Sequence, residues 1–181
     1  MRSAARAAWA IAPVLAAGLV HVAVLKADLL PRLAIPLDGG RNVLGSNKTL
    51  RGLILMPAAT AAACRLQAAL EQRYLRLGEL SVLKTEPWTA GAVLGTAYIA
   101  AELPNSLVKR RLGIPAGGHA PGVAGALQYV ADQGDSVLGC LVMLQLVGRA
   151  PVRVTLLAGG MGFGAHAAVD LLMRGIGLRG R

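Results

Sequence analysis

The stretch AAWAIAPVLAAGLVHVAVL, Ala7 to Leu25, decides the class of fold because it contains no charged side chain over 19 residues. A bilayer core about 30 Å thick needs roughly 20 residues of helix to cross it. The apolar part of a signal peptide is shorter, about 7 to 15 residues, so we interpret this stretch as a retained first span. The sequence therefore predicts a helical protein whose solvent is the bilayer.

The composition of the whole chain favours the same class. Of 181 residues, 55% are hydrophobic, and the mean hydropathy of +0.55 is too high for an ordinary soluble domain. The net charge of +10 is a common feature of nucleic-acid-binding proteins, but only 3% of residues are aromatic and able to stack on bases. We therefore expect no nucleic-acid partner. Anionic membrane lipids and an anionic substrate fit the positive charge better.

Four more apolar stretches predict an all-α polytopic membrane protein with about five transmembrane helices. The stretches are Leu53 to Leu70, Pro87 to Leu103, roughly Gln133 to Gly148, and Arg153 to Leu172. Proline and glycine interrupt the uncharged segment Leu112 to Ala131, which predicts a loop followed by a short interfacial or re-entrant helix. We expect residues 1–181 to form a single integral membrane domain.

Two polar segments, Pro31 to Gly52 and Pro104 to Gly118, fall on the same side of the membrane if there are five spans. Both are rich in Gly, Asn, Lys and Arg, which makes their shared face the expected place for a polar site. With that face in the cytoplasm, ten of the 19 Lys and Arg residues lie on the inner side and seven on the outer side. This small excess favours polar loops and a site that face the cytoplasm.

The first polar segment contains the motif GSNKTLRG, Gly45 to Gly52, directly before the second span. Lys48, Thr49 and Arg51 offer two cations and a hydroxyl beside flexible glycines, next to the positive end of a helix dipole. This combination predicts phosphate binding. The alternative is a basic loop that anchors the protein to lipid headgroups. The spacing does not match a P-loop.

The second polar segment contains ELPNSLVKRRLGIPAG, at the end of the third span. Its polar side chains are Glu102, Asn105, Ser106, Lys109, Arg110 and Arg111. Three adjacent cations can neutralise a triphosphate or a lipid headgroup, with arginine making bidentate contacts. The neighbouring acid, amide and hydroxyl could bind a metal or a sugar. The alternative is a simple stop signal at the membrane surface.

The third motif, DQGDS, contains two carboxylates where the fourth span begins. On a helix, the i, i+3 spacing places Asp132 and Asp135 on one face, where they can share a cation. Oxygen ligands near a phosphate-bearing substrate predict Mg²⁺. The alternative is a pair of buried ion pairs to Lys or Arg.

The remaining polar candidates give weaker signals. Asp38, in PLDGG, has the position of a turn residue before two glycines. His21, His119 and His166 are scattered along the sequence without paired ligands, so we expect structural or loop roles for them.

Taken together, PLDGG, GSNKTLRG, ELPNSLVKRRLGI followed by PAG, and DQGDSVLG resemble, in order and spacing, the motifs of CDP-archaeol synthases. These enzymes belong to the CTP-dependent cytidylyltransferases, which include phosphatidate cytidylyltransferase. The resemblance extends from about Pro36 to Gly139. It implies a five-span helical fold whose cytoplasm-facing cavity binds CTP and Mg²⁺. It also implies a lipid phosphate substrate and a reaction that yields a CDP-lipid and pyrophosphate.

The resemblance also implies roles for individual residues. Lys48, Thr49 and Arg51 match a Lys-Thr-Trp-Arg-Gly element, Ser106, Lys109 and Arg110 match a Ser-x-x-Lys-Arg element, and Asp132 and Asp135 match an acidic pair. We therefore expect Lys109, Asp132 and Asp135 to be catalytic, with Mg²⁺ on the two carboxylates. We expect the following residues to bind substrate: Lys48, Thr49, Arg51, Asn105, Ser106, Arg110 and Arg111.

This sequence departs from the family pattern at three positions. Ser46 and Asn47 stand where Asp and His are frequent, and Leu50 stands where the family has Trp.

Two other classes compete with this interpretation, namely a small membrane transporter and a non-catalytic membrane scaffold. A transporter would usually have inverted repeats or helices broken at the midplane, and the sequence has no internal repeat. A scaffold would have no need of two carboxylates near its cationic loops.

Overall fold

The computed structural model describes residues 1–177, and their secondary structure is helical. The helices are α1 (Arg2–Lys26), α2 (Leu50–Arg73), the short α3 (Leu75–Gly78), α4 (Pro87–Arg111), α5 (Gly122–Gly148) and α6 (Val152–Gly175), with a 3₁₀ turn at Pro31–Leu33. Within these residues the only β pairing is an isolated bridge between Pro36 and Thr49. The all-α prediction is confirmed. Residues 178–181 of the predicted domain lie outside the described residues.

Four helices, α1, α2, α5 and α6, are long and apolar enough to cross a membrane. The chain is thus a polytopic membrane protein by length and composition, with four candidate spans where the sequence predicts about five. The third predicted span lies in α4, which has 25 residues but a more polar composition. Because α4 packs mainly between α2 and α5, its neighbours shield it from lipid, and it needs less apolar surface.

The contact between α2 and α4 depends on two glycines one helical turn apart. A Cβ atom on Gly91 would lie 2.4 Å from the Cα of Ala61, and a Cβ on Gly95 would lie 2.6 Å from the carbonyl oxygen of Met56. These distances are too short for any side chain. The pair is a small-xxx-small motif of the kind that lets transmembrane helices approach closely.

The sequence predicts that the second polar segment is a loop from Pro104 onward. This prediction is wrong. Helix α4 continues through Pro104 to Arg111. A proline inside a helix removes one backbone hydrogen bond, but the packing of α4 between two other helices outweighs this loss. As a consequence, the cations of this segment are held on a helix rather than on a flexible loop.

The prediction of a separate short helix before the fourth span is also wrong. Helix α5 begins at Gly122 and continues without a break to Gly148. Gly122 and Gly125 do not interrupt it, because they lie in the first turns, where the preceding loop folds back onto the helix. A Cβ on Gly125 would lie 1.9 Å from the carbonyl oxygen of Ala120. At about 1.5 Å per residue, α5 is roughly 40 Å long, which exceeds the thickness of a bilayer core.

At the opposite end of the bundle, polar contacts join the start of α1 to the end of α2 and to the segment between α2 and α4. Arg2 forms an exposed ion pair with Glu79 at 3.1 Å, and Arg6 donates to the carbonyl oxygen of Ser81. The indole nitrogen of Trp9 donates to Glu71 at 2.7 Å. This end therefore has its own polar contacts, separate from those of the candidate site.

Candidate functional site

A polar cavity of about 50 Å³ lies at the end of the bundle where α4 ends and α5 begins. Its lining comes from the loop before α2, from α4, from the loop between α4 and α5, and from α5 and α6. The polar lining residues are Asn47, Lys48, Glu102, Asn105, Ser106, Lys109, Arg110, His119, Asp132, Asp135 and His166. The two polar segments of the sequence thus lie together, as predicted.

Helix α4 contributes a face of polar side chains to this cavity. Glu102, Asn105, Ser106 and Lys109 follow one another at intervals of three, one and three residues. Such intervals keep side chains on one side of an α-helix. Glu102 is predicted from the sequence only as a possible ligand and not as a substrate-binding residue, although this periodicity could have identified it.

Asp132 and Asp135 share one face of α5, as their spacing predicts, and the side-chain amide of Asn105 joins them. The Nδ2 atom of Asn105 donates to Asp132 at 2.7 Å and to Asp135 at 2.9 Å. Lys109 Nζ donates to the other oxygen of Asp132 at 2.7 Å. Helix α4 thereby fixes the position of both carboxylates on α5.

His119, for which we expect only a structural or loop role, is a further partner of Asp132. Its Nε2 atom lies 3.2 Å from Asp132 Oδ2, and its ring lies 5.8 Å from the ring of Tyr129. The loop between α4 and α5 brings His119 back over the start of α5. No spacing in the sequence predicts this contact, because it depends on the path of an irregular loop.

The loop before α2 brings Lys48 to the cavity, where its amine forms an ion pair with Glu102 of α4. Backbone hydrogen bonds close the base of this loop, from Leu37 N to the Lys48 carbonyl at 2.8 Å and from Leu50 N to the Ile35 carbonyl at 2.9 Å. The position of Lys48 is therefore set by backbone pairing as well as by its charge.

Asp38 holds the outer part of the same loop together. Its carboxylate accepts hydrogen bonds from the backbone N–H groups of Gly40, Val43 and Leu44 at 2.7–3.0 Å. The prediction of a turn residue is confirmed. These hydrogen bonds, led by that of Leu44, hold the pKa of Asp38 below its ordinary value.

This pKa shift predicts that acid loosens the loop. A carboxyl group with a lowered folded-state pKa stabilises the fold above its ordinary pKa of 3.8, and that stabilisation is lost as the pH falls through the folded-state value. Amide protection of Val43 and Leu44, measured by hydrogen–deuterium exchange, should fall as the pH is lowered below 3.8. In Asp38→Ala the two amides should be poorly protected at every pH. Equal protection in both proteins at neutral pH would contradict this role.

Arg110 is the cation of the cavity with the fewest partners. Its Nε and Nη1 atoms are buried and have no hydrogen-bond partner within residues 1–177. The backbone of the GSNKTLRG motif lies close by, because a Cβ on Gly45 would be 3.4 Å from Arg110 Nη1. Two buried guanidinium nitrogens without partners are costly, so this geometry indicates a place for an anion.

Three residues of the predicted substrate-binding set lie outside the cavity. The guanidinium of Arg51 is buried and donates to the Leu29 carbonyl at 2.9 Å and to Asp28 at 3.3 Å. Thr49 is the N-cap of α2, and Arg111 is exposed at the end of α4. Arg51 therefore ties the α1–α2 connection to α2, and Thr49 begins the helix that follows the loop.

The carboxylates of the cavity offer oxygen ligands of the kind that Mg²⁺ prefers. Mg²⁺ is usually held by one or two carboxylates together with water and substrate phosphates. Asp132 and Asp135 offer such oxygens side by side. No group of three His, Cys, Asp or Glu side chains able to hold a metal ion occurs in residues 1–177. Two carboxylates are of the number and kind that hold Mg²⁺ together with water and phosphate oxygens.

These features define a polytopic helical membrane protein with a charged cavity at one end of its bundle. The chain is similar to the CDP-archaeol synthase of Methanopyrus kandleri, with 33% identity over 113 residues. The match covers 61% of this chain and 53% of the relative, so it spans about half the length of that protein. The resemblance to the CDP-archaeol synthase family, predicted from the motifs, is thus confirmed. No family model and no solved structure matches the chain.

Proposed function

We propose that this protein is a CTP-dependent lipid-phosphate cytidylyltransferase that transfers CMP from CTP to a lipid phosphate. The products would be a CDP-lipid and pyrophosphate. The observation that carries the proposal is the polar cavity, which combines two buried, unpartnered nitrogens of Arg110 with the bridged carboxylates Asp132 and Asp135. The similarity to a CDP-archaeol synthase supports the same chemistry.

The charges in the cavity suit a polyphosphate accompanied by a divalent cation. Three cations, Lys48, Lys109 and Arg110, face three carboxylates, Glu102, Asp132 and Asp135. A lone phosphate group would meet as much negative as positive charge. When Mg²⁺ accompanies the phosphates, the carboxylates gain a partner and the lysines are released to bind phosphate oxygens.

The reaction we propose is an in-line displacement. An oxygen of the lipid phosphate attacks the α-phosphorus of CTP, and the bond from that phosphorus to the bridging oxygen of the β-phosphate breaks. Pyrophosphate leaves with the electron pair. The lipid phosphate is already ionised at neutral pH, so no general base is needed.

The protein would contribute position and charge to this reaction. Lys48, Lys109 and Arg110 would hold phosphate oxygens, and Asp132 and Asp135 would hold Mg²⁺. When bound, Mg²⁺ supplies Lewis-acid neutralisation of the phosphate charge. Asn105 would keep the two carboxylates in register, because its amide contacts both of them.

We also propose that the cavity faces the cytoplasm. Nucleoside triphosphates are cytoplasmic, and the small excess of Lys and Arg on this side agrees with that orientation. The whole chain would then act as one membrane-embedded catalytic domain, with its lipid substrate drawn from the surrounding bilayer.

The proposal is tested with purified protein in detergent, radiolabelled CTP, Mg²⁺ and a panel of ester- and ether-linked lipid phosphates. Labelled CDP-lipid is expected with at least one member of the panel, and its formation should stop with EDTA or without lipid. The absence of CDP-lipid with every member would overturn the proposal and would favour a transporter or a scaffold.

Arg110 gives a second, independent test. Arg110→Met should weaken CTP binding at least about tenfold, since charge-assisted hydrogen bonds contribute roughly 1.5–3 kcal/mol. The melting temperature should stay equal or rise, because the variant removes buried nitrogens that have no partner. Arg111→Met is the matched control, and it should leave CTP binding within about twofold, because exposed charges contribute little. Equal losses in the two variants would contradict an anion site at Arg110.

A further inference from the structure

The end of the bundle opposite the polar cavity carries cations that have no part in the proposed reaction. Arg6 lies directly before the uncharged part of α1, and Lys84 lies in the segment between α2 and α4. Arg149 and Arg153 lie where α5 ends and α6 begins. We call these four residues the basic patch.

The basic patch surrounds one buried cluster, which brings its four members to the same end of the bundle. The cluster includes residues next to, or two positions from, each cation, namely Ala7, Val82, Ala150 and Val154. Arg6 also donates to the carbonyl oxygen of Ser81 at 3.3 Å. The hydroxyl of Thr85 donates to the carbonyl oxygen of Val147 at 2.9 Å. The segment before α4 therefore joins the start of α1 to the end of α5.

The acidic side chains closest to the patch in sequence are already engaged. Glu79 pairs with Arg2 at 3.1 Å, and Glu86 caps the first backbone N–H groups of α4. Helix α1 and residues 80–85 and 136–169 contain no acidic residue. Over the described part of the chain, no patch cation belongs to an ion pair. The positive charge of the patch is thus not neutralised by the protein.

Arg149 has a backbone conformation that is unfavourable for its side chain. With φ at 49° and ψ at 41°, it is the left-handed C-cap of α5, where glycine is the usual residue. This conformation brings a Cβ atom too close to the backbone. Residues held in such a conformation are concentrated at functional sites, because elsewhere glycine would be more stable.

Two more patch cations lie where the protein alone disfavours them. Arg153 is in the first turn of α6, the positive end of the helix dipole, which repels a cation. Helix α6 has no acidic residue in that turn and no side-chain cap. The Nε atom of Arg6 is buried and has no hydrogen-bond partner among residues 1–177. A bound anion would offset all three costs, at Arg6, Arg149 and Arg153.

We propose that the basic patch binds the phosphate headgroup of an anionic phospholipid in the leaflet opposite the polar cavity. Arg6 and Arg153 directly precede the apolar parts of α1 and α6, which is the depth at which headgroups meet hydrocarbon. Arginine binds phosphate through two parallel hydrogen bonds. A lipid with a net negative charge is attracted to such a patch, whereas the choline of a zwitterionic lipid offsets its phosphate. This binding needs neither CTP nor turnover.

The test is binding of phosphatidylglycerol and phosphatidylcholine to the purified, delipidated protein, measured by native mass spectrometry in an uncharged detergent. The first phosphatidylglycerol should bind at least about tenfold more tightly than the first phosphatidylcholine. Glycerol 1-phosphate should compete only weakly, because it lacks the hydrocarbon that holds a lipid at the surface of the bundle.

Arg149→Gly combined with Arg153→Gln removes two patch cations together with their local costs. Affinity for phosphatidylglycerol should fall at least about tenfold. The melting temperature without lipid should stay equal or rise, because glycine accepts the left-handed conformation and a neutral side chain suits the start of α6. Arg32→Gln combined with Arg41→Gln is the matched control, since it removes the same charge from exposed positions at the cavity end. It should leave the affinity within about twofold.

Four results would overturn the inference. One is equal affinity of the unchanged protein for the two lipids. Another is the same loss of affinity in both double variants, which would assign the binding to net charge rather than to the patch. A fall in the melting temperature of the Arg149 and Arg153 variant would make these residues structural. Competition by glycerol 1-phosphate at the concentration of the lipid would assign the patch to a free anion.

Discussion

Asp135→Asn is expected to lower the kcat of CDP-lipid formation about a thousandfold. The substitution keeps the shape of the side chain but removes the charge that would hold Mg²⁺ against the phosphates. Loss of metal-assisted charge stabilisation costs several kcal/mol in the transition state, and ~4 kcal/mol corresponds to about three orders of magnitude in rate. The melting temperature should fall only modestly, because the asparagine oxygen can still accept one of the two hydrogen bonds that Asp135 accepts, from Ser136 N at 2.6 Å or from Asn105 Nδ2 at 2.9 Å.

The measurement is initial-rate kinetics with saturating CTP and a lipid phosphate, at several Mg²⁺ concentrations. Excess Mg²⁺ should restore part of the activity if the variant binds the ion weakly. Glu79→Gln is the control, because Glu79 is an exposed carboxylate at the opposite end of the bundle. It should retain full activity. Undiminished CDP-lipid formation by Asp135→Asn would remove this residue from the proposed mechanism.

The second large effect is on stability, at the contact between α2 and α4. Gly95→Ala should lower the free energy of unfolding by about 3 kcal/mol, because overpacking of a close contact forces backbone shifts. The added methyl group would lie 2.6 Å from backbone atoms of both Met56 and Pro57. Since α4 also carries Asn105 and Lys109, the same shift should reduce binding in the cavity.

Gly164→Ala on α6 is the matched control, and the expected effect has the opposite sign. Gly164 is exposed and has no neighbour within 4 Å of the added atom. Alanine favours a helix over glycine by up to ~1 kcal/mol, so this variant should be as stable as the parent or slightly more stable. Thermal unfolding in one detergent compares the two variants. A loss of the same size at both positions would contradict the close helix contact.

The membrane helices are the part of the fold that the sequence predicts best. Apolar stretches of 16 to 20 residues lie within each of the five long helices, because burial in lipid constrains composition over a whole span. Helix ends are predicted less well. Pro104 and Gly122 are common helix breakers, yet α4 passes through the first and α5 begins at the second, since contacts with neighbouring helices outweigh local preference.

Some contacts of the candidate site can be predicted from residues close together in the sequence, and others cannot, because they join residues far apart in the chain. The i, i+3 spacing of Asp132 and Asp135 is a local signal, and the structure places both carboxylates together. The contact of His119 with Asp132 depends on the path of a loop, and the contact of Arg51 with Leu29 depends on how two helices are connected. The residues on either side of His119 and Arg51 in the sequence contain no pattern that predicts these contacts.

The ion pairs of the cavity have a consequence for the insertion of the helices into the membrane. Lys48 precedes α2 and its partner Glu102 belongs to α4, whereas Lys109 of α4 pairs with Asp132 of α5. No single helix therefore carries both members of a pair, and α5 on its own would expose two uncompensated acids to the bilayer. During biogenesis, α5 should leave the translocation machinery together with α4, as one neutralised hairpin. The residues of the site would then also determine the order in which the helices enter the lipid.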